Sequence, residues 1–158
     1  MKEKIKKIVN KLSKEGKTIS TMESCTGGAL ASAITNVKGA SSIFSYGAVT
    51  YSNDFKIKMG VSEKIIEKYT VYSKETAREM AKAISAFSKS NYGIGITGKL
   101  GTKDPNNLSG ENDRVFICIY DKNNNKFIDL TTKVNSEDRV DDKKEVIEYL
   151  ISNLIKYV

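Results

Sequence analysis

Residues 18–35 constrain the fold more than any other stretch of this chain. Thr18-Ile19-Ser20-Thr21-Met22 favours an extended backbone, Glu23-Ser24-Cys25-Thr26 is a cluster of small polar side chains with one carboxylate, and Gly27-Gly28 leads into the helix-forming run Ala29-Leu30-Ala31-Ser32-Ala33-Ile34-Thr35. A strand therefore ends at the mouth of a helix. The N–H groups of such a helix start are unpaired and carry positive dipole, which suits a phosphate or a developing oxyanion. Glycine there lets a ligand approach the backbone closely. An ordinary N-cap, with Ser24 or Thr26 bonding the first turn, is the alternative reading of the same residues.

The rest of the chain alternates in the same way. Ile5, Ile8, Val9 and Leu12 recur at helical spacing and predict an amphipathic helix over residues 2–15 that ends near Gly16. A strand is predicted over 17–22, a helix over 26–35, a turn at 37–42, and a second strand over 43–51 with a bulge at Gly47. Asn53 is expected to cap a short helix through Met59, Ser62 to start another through Tyr69, and Ser73 to cap a longer one with Ala77, Met80, Ala81, Ile84 and Phe87 on its apolar face. Tyr92–Gly98 reads as a strand and 99–113 as a polar loop holding the only proline, Pro105. Val115–Tyr120 and Lys126–Leu130 flank a turn and predict a β-hairpin, and a last helix is expected after a cap at Ser136. This order predicts an α/β fold. The architecture is a three-layer α/β/α sandwich around a mixed, mostly parallel sheet of about five strands, in one domain over 1–158.

Composition removes several kinds of chemistry. Histidine is absent, so no Ser-His-Asp or Cys-His triad and no histidine metal site exists within the chain. Proton transfer near neutral pH then falls to lysine, tyrosine, a carboxylate or a thiol. Cys25 and Cys118 show no CxxC spacing, which argues against a disulfide framework or structural zinc and suggests a reducing, cytoplasmic setting. No apolar run approaches the roughly 20 residues of a membrane span, and Met1–Lys7 lacks the apolar core of a secretory signal. The net charge of +7 comes from scattered lysines with only Arg78, Arg114 and Arg139 as arginines, which argues against a nucleic-acid stripe and leaves room for an anionic small ligand.

Four groups of small polar residues fall at turns or strand exits: 23–28, 39–42, 51–56 and Thr97-Gly98. In open α/β sheets such exits converge on one crevice. With Asn53 as cap, Lys56 would sit in the first turn of its helix, where the dipole opposes its charge. Burial would act in the same direction and turn the lysine into a general base. A solvated surface lysine is the plainer alternative.

Taken together, Thr21-x-Glu23-Ser24-Cys25-Thr26-Gly27-Gly28, Gly39-Ala40-Ser41-x-x-Phe44 and Gly47-x-Val49-Thr50-Tyr51-Ser52-Asn53-x-x-Lys56 resemble the CinA carboxy-terminal domain family, the nicotinamide mononucleotide amidohydrolases. Gly60-Val61, Ser73, Ala77-x-x-Met80-Ala81, Thr97-Gly98 and Asp138-Arg139 extend the resemblance from about residue 3 to the last residues of the chain. It implies a stand-alone, homo-oligomeric enzyme that cleaves the carboxamide of nicotinamide mononucleotide to nicotinate mononucleotide and ammonia, with no metal or organic cofactor. Ser41 is then expected as nucleophile, Lys56 as base and Tyr51 as proton relay or oxyanion support, with Ser24 as the rival nucleophile. Glu23, Thr26, Gly27, Gly28, Thr97, Gly98 and Arg139 are expected around the substrate, Arg139 offering a forked cation to its phosphate. A nucleotide-binding or competence-related interaction module is the alternative. Three features depart from the family pattern: Lys99–Arg114 replaces an Ile-Ala-Gly-Pro start and a Gly-rich loop, Lys143 stands where arginine is common, and one residue is missing between Lys56 and Gly60. The loop borders Thr97 and is expected to set substrate preference.

Overall fold

The computed structural model describes residues 1–135 and 138–158. Its elements are α1 (Lys2–Glu15), β1 (Ile19–Glu23), α2 (Ala29–Thr35), a 3-10 turn (Ala40–Ser42), β2 (Phe44–Val49), α3 (Asn53–Lys58), α4 (Glu63–Tyr69), α5 (Lys74–Ser88), β3 (Tyr92–Gly98), β4 (Arg114–Asp121), β5 (Lys126–Lys133) and α6 (Arg139–Leu154). The sheet order is β2-β1-β3-β4-β5. β1 pairs in parallel with β2 and β3, whereas β4 runs antiparallel between β3 and β5. The sheet is thus mixed, with one strand reversed, as the order of elements predicts. The register between β1 and β2 slips between Ile19 and Thr21, on the stretch of β2 that precedes Gly47.

Alternation along each strand divides the core between two helical layers. Ile19 of β1, Ile94 and Ile96 of β3, and Val115, Ile117 and Ile119 of β4 pack with Ile5, Ile8, Val9 and Leu12 of α1, Leu30 and Ile34 of α2, and Val146, Ile147, Leu150, Ile151 and Leu154 of α6. On the other face Met22 meets Met80 and Ile84 of α5, and Cys118 and Tyr120 meet Ala77 and Ala81. β3 reads Gly93-Ile94-Gly95-Ile96, isoleucine toward one layer and glycine toward the other. The glycines let the α5 backbone lie directly on the strand: a Cβ on Gly95 would stand 2.2 Å from the Ala77 carbonyl oxygen and 2.7 Å from the Ala81 nitrogen.

Several boundaries differ from the sequence expectations for local reasons. Ser52, not Asn53, caps α3, its hydroxyl accepting from the Phe55 N–H at 3.3 Å. Ser136 lies outside the described residues, and Asp138 caps α6 by accepting from the Val140 N–H at 2.7 Å. Phe87 leaves the apolar face of α5 for solvent and stacks on Tyr46 of β2, with ring centroids 5.0 Å apart. Ser73 does cap α5, accepting from the Thr76 N–H at 3.1 Å.

The close contact of α5 with β3 yields a test. Gly95→Ala is expected to lower the unfolding free energy by about 3 kcal/mol, because the added methyl meets the fixed backbone of α5. Equilibrium denaturation measures this, and a loss within the ordinary scatter of surface substitutions contradicts the packing described.

Candidate active site

Three parallel strands deliver their exits to one rim of the sheet. Glu23 ends β1 opposite Val49 of β2 and Ile96 of β3, so Ser24, Thr50 and the residues after Thr97 emerge side by side. α3 then turns back over this rim and carries Lys56 inward. Lys56 is only 1% exposed, one of the largest fully buried side chains. Its Nζ donates to the Thr50 carbonyl at 2.8 Å and to Ser24 Oγ at 3.1 Å. Burial pulls its pKa down from 10.5 to about 8, with weak opposition from Cys25 and Asp104. Desolvation is thus the cause found here. The helix-start argument made from an Asn53 cap falls away, because the cap is Ser52 and Lys56 lies in the last turn of a six-residue helix.

Ser41, the serine expected as nucleophile, is at the wrong end of the sheet. It sits exposed on the 3-10 turn that leads into β2, and its neighbour Ser42 bonds Ser13 at the end of α1 at 3.0 Å. The other polar groups follow strands, whereas 39–42 precedes one, so the six residues of β2, roughly 20 Å of strand, separate it from Lys56. Lys56 reaches Ser24 and not Ser41. Ser24, named from sequence only as the rival, is the serine that the fold brings to the lysine.

The helix start expected to hold a phosphate already holds an anion. The buried Glu23 carboxylate accepts from Thr26 Oγ1 at 2.6 Å, Gly28 N–H at 3.2 Å, Leu30 N–H at 3.1 Å and Ala31 N–H at 2.9 Å. Thr26 and Gly28 are spent on this internal cap, and the Gly27 N–H closes the turn on the Ser24 carbonyl at 3.0 Å. The α2 dipole and its donors are therefore satisfied by the chain itself. Lys143 stands next to this turn, its Nζ 3.3 Å from where a Cβ on Gly27 would be.

In front of Ser24 lies a cavity of about 510 Å³. Ser24, Cys25, Tyr51, Gly98 and Arg139 line it, joined by the 99–107 part of the long loop and by Tyr72. Tyr51 is 66% exposed at its mouth. Arg139 donates to the Tyr51 hydroxyl at 3.3 Å, to Thr102 Oγ1 at 3.1 Å and to the Leu100 carbonyl at 3.3 Å, which ties α6 to both sides of the opening. Thr97 turns away and donates to the Val71 carbonyl at 3.0 Å. Cys25 touches the cavity, but burial pushes its thiol up to about 12, so it stays protonated and unreactive near neutral pH.

Sequence reasoning missed the partners that hold the loop. Tyr72 donates to the Asp104 carboxylate, Asn107 donates to the same carboxylate at 2.9 Å, and Asn53 donates to Asn107 Oδ1 at 3.0 Å. Burial and the carboxylate beside it both raise the Tyr72 pKa, and these bonds hold Asp104 below the usual carboxylate range. No local pattern signals these contacts, since Tyr72 and Asp104 stand 32 residues apart. Among the described residues no group of three or more histidine, cysteine or acidic side chains is placed to hold a metal ion.

The chain is similar to known proteins in sequence and in fold. A sequence profile described as the CinA C-terminal domain matches residues 1–158. A competence-damage inducible protein from Clostridium botulinum strain Langeland, so named provisionally, is 50% identical over 95 residues, 60% of this chain and 23% of that protein. A "CinA-like protein" from Kosmotoga olearia is 47% identical over 95 residues, again 60% of this chain and 23% of its own length. The matched stretch thus spans about a quarter of these curated relatives. The crystal structure of competence/damage inducible protein CihA from Agrobacterium tumefaciens superposes with a TM-score of 0.86 at 26% identity, covering 98% of this chain and 93% of that one. That of a competence or damage-inducible protein from Enterobacter asburiae gives 0.87 at 25% identity, covering 98% and 96%.

The internal cap on α2 is open to test. Glu23→Ala is expected to cost about 3 kcal/mol, since it strands buried donors that a single carboxylate now satisfies. Denaturation gives the cost, and amide exchange at Leu30 and Ala31 locates it. Unchanged stability and protection contradict the role assigned to Glu23.

Proposed function

This chain belongs to the CinA C-terminal domain family, and from that premise we propose that it hydrolyses the carboxamide of a pyridine nucleotide, with nicotinamide mononucleotide the substrate that the sequence resemblance implies. The observation that carries this reading is the buried Lys56 amine 3.1 Å from Ser24 Oγ with its pKa drawn down to about 8. Near neutral pH part of the lysine is neutral, and its lone pair accepts the serine proton as Oγ attacks the carboxamide carbon. The Thr50 carbonyl holds Nζ in line. The C–N bond then breaks, the lysine proton leaves with ammonia, and a nicotinoyl ester remains on Ser24. Water, deprotonated by the same amine, attacks that ester; the Ser24 Oγ–carbon bond breaks, Oγ takes the proton back from the lysine, and the acid leaves.

Around this pair the other groups fall into supporting roles. The Cys25 and Thr26 backbone N–H groups, which Glu23 does not claim, stand next to Ser24 for the oxyanion. Tyr51 and Arg139 form the outer wall, where the Arg139 guanidinium meets the nucleotide phosphate. The two buried, free cysteines fit a reducing cytoplasm, and no described helix is long and apolar enough to cross a membrane. Homo-oligomer formation has a suitable surface in the outer edge of β2, where no residue is charged and Tyr46 and Val49 are exposed.

Ammonia release from nicotinamide mononucleotide by the purified chain tests the reading. Ser24→Ala and Lys56→Met are each expected to lower kcat by about 10³-fold or more, because nucleophile and base act as a unit. Ser41→Ala is expected to leave kcat unchanged. The opposite pattern restores Ser41 as nucleophile. Binding without turnover of any nucleotide amide favours the interaction-module alternative.

The pH profile follows from the direction of the Lys56 shift. The amine works only when neutral, so kcat/KM is expected to rise about tenfold per pH unit below about 8 and to level off above it. A rate still climbing toward 10.5 contradicts a buried base. Chelators are expected to leave the rate unchanged, and a loss reversed by a divalent ion overturns the mechanism.

A further inference from the structure

We propose that Lys99 and Lys103 form a second anion subsite, so that the ligand of this chain carries a second phosphoryl group beyond the one facing Arg139. The proposal refines the substrate class of the preceding reading and rests on it only for the carboxamide end of the ligand. Lys99 follows Gly98 at the exit of β3, at the first position where the loop departs from the family pattern. It is only 4% exposed. Its Nζ lies 4.9 Å from the centre of the Tyr72 ring and 3.5 Å from Asn112 Oδ1. Among the described residues no carboxylate comes within the 4.0 Å of an ion pair with it. Lys99 thus has one long amide contact, an aromatic face and the charge of Asp104 nearby, and hydrogen-bond capacity at its Nζ is left for an incoming anion.

The space around Lys99 fits that role. A second cavity of about 210 Å³ adjoins the first, and Lys99, Lys103 and Asp104 belong to the walls of both. Leu108, Gly110 and Asn112 complete it, so two lysines face one carboxylate there. Asp104 is already engaged: its oxygens accept from the Tyr72 hydroxyl, Asn107 Nδ2 and the Asn106 N–H. Exposed Lys103 closes the outer side, and the Asn112 amide is a further donor within reach of the same space. Arg139 is on the wall of the first cavity, and Lys99 and Lys103 are on the walls of both. A mononucleotide phosphate fills one charged position and leaves the other empty. A pyrophosphate fills both, so the ligand class is a pyrophosphate-bearing pyridine nucleotide.

Binding of inorganic phosphate and inorganic pyrophosphate to the full chain, followed by calorimetry, reads this out without turnover. Pyrophosphate is expected to bind at least about tenfold more tightly than phosphate. Lys99→Met, which keeps the stem against Tyr72, is expected to remove that preference while phosphate affinity stays within about twofold, and Lys99→Arg to retain it. Lys103→Gln, at an exposed position that folding tolerates, is expected to reduce the preference severalfold and serves if Lys99→Met does not fold. Equal affinities in the parent chain, or a preference that survives both neutral substitutions, overturns the subsite. A second arm compares turnover of nicotinamide mononucleotide with that of nicotinamide adenine dinucleotide, which has the same carboxamide and one more phosphoryl group. Absent turnover with the pyrophosphate preference intact removes the amidohydrolase reading and leaves the subsite standing.

Discussion

The Glu23 carboxylate governs how the rest of the site is laid out. It stands at the last residue of β1, and three N–H groups and a hydroxyl from the turn and α2 converge on it. A buried carboxylate with so many donors locks the strand exit to the helix start, because without it the buried donors of Thr26 and Leu30 would be unpaired. Ser24 is the next residue, so the same lock fixes its backbone. The cap also changes what the site can bind. The positive end of α2 is neutralised from within, and an external anion must look to side chains instead. Arg139, Lys99 and Lys103 are the cations on the cavity wall.

Lys56 depends on that frame and completes it. A lysine at the end of a short helix would ordinarily extend into water. Here α3 folds back over the rim, and the amine is enclosed between the Thr50 carbonyl and Ser24 Oγ. Enclosure penalises the ammonium form, so in a histidine-free chain burial gives a lysine that can exchange its proton nearer neutral pH. The two hydrogen bonds offset part of the cost of burying it.

Much of this was legible in the sequence, and the part that was not has a physical reason. Helical periodicity in α1, α5 and α6 and the strand-to-helix motif at 18–35 predict the layers and the mixed sheet, because both patterns are local. Lys56, Ser24, Tyr51, Gly98 and Arg139 do gather at one rim. Ser41 does not, because a residue before a parallel strand and residues after one lie at opposite ends of the sheet. Thr26 and Gly28 show a related limit: composition shows donors at a helix start, whereas only the fold shows that they donate to Glu23. The bonds from Tyr72 and Asn53 that pin the 99–113 loop join distant segments, and no spacing rule exposes them.

The proposed chemistry requires Lys56, beside Ser24, to lose its proton near neutral pH. Direct titration of the Lys56 Nζ by NMR, with the lysine assigned through the Lys56→Met variant, tests it at the atom concerned. A midpoint near 8 is expected for Lys56, well below the ordinary lysine value of 10.5. A Lys56 midpoint near 10.5 contradicts the proposed chemistry, because an amine charged through the whole neutral range cannot take the proton of Ser24.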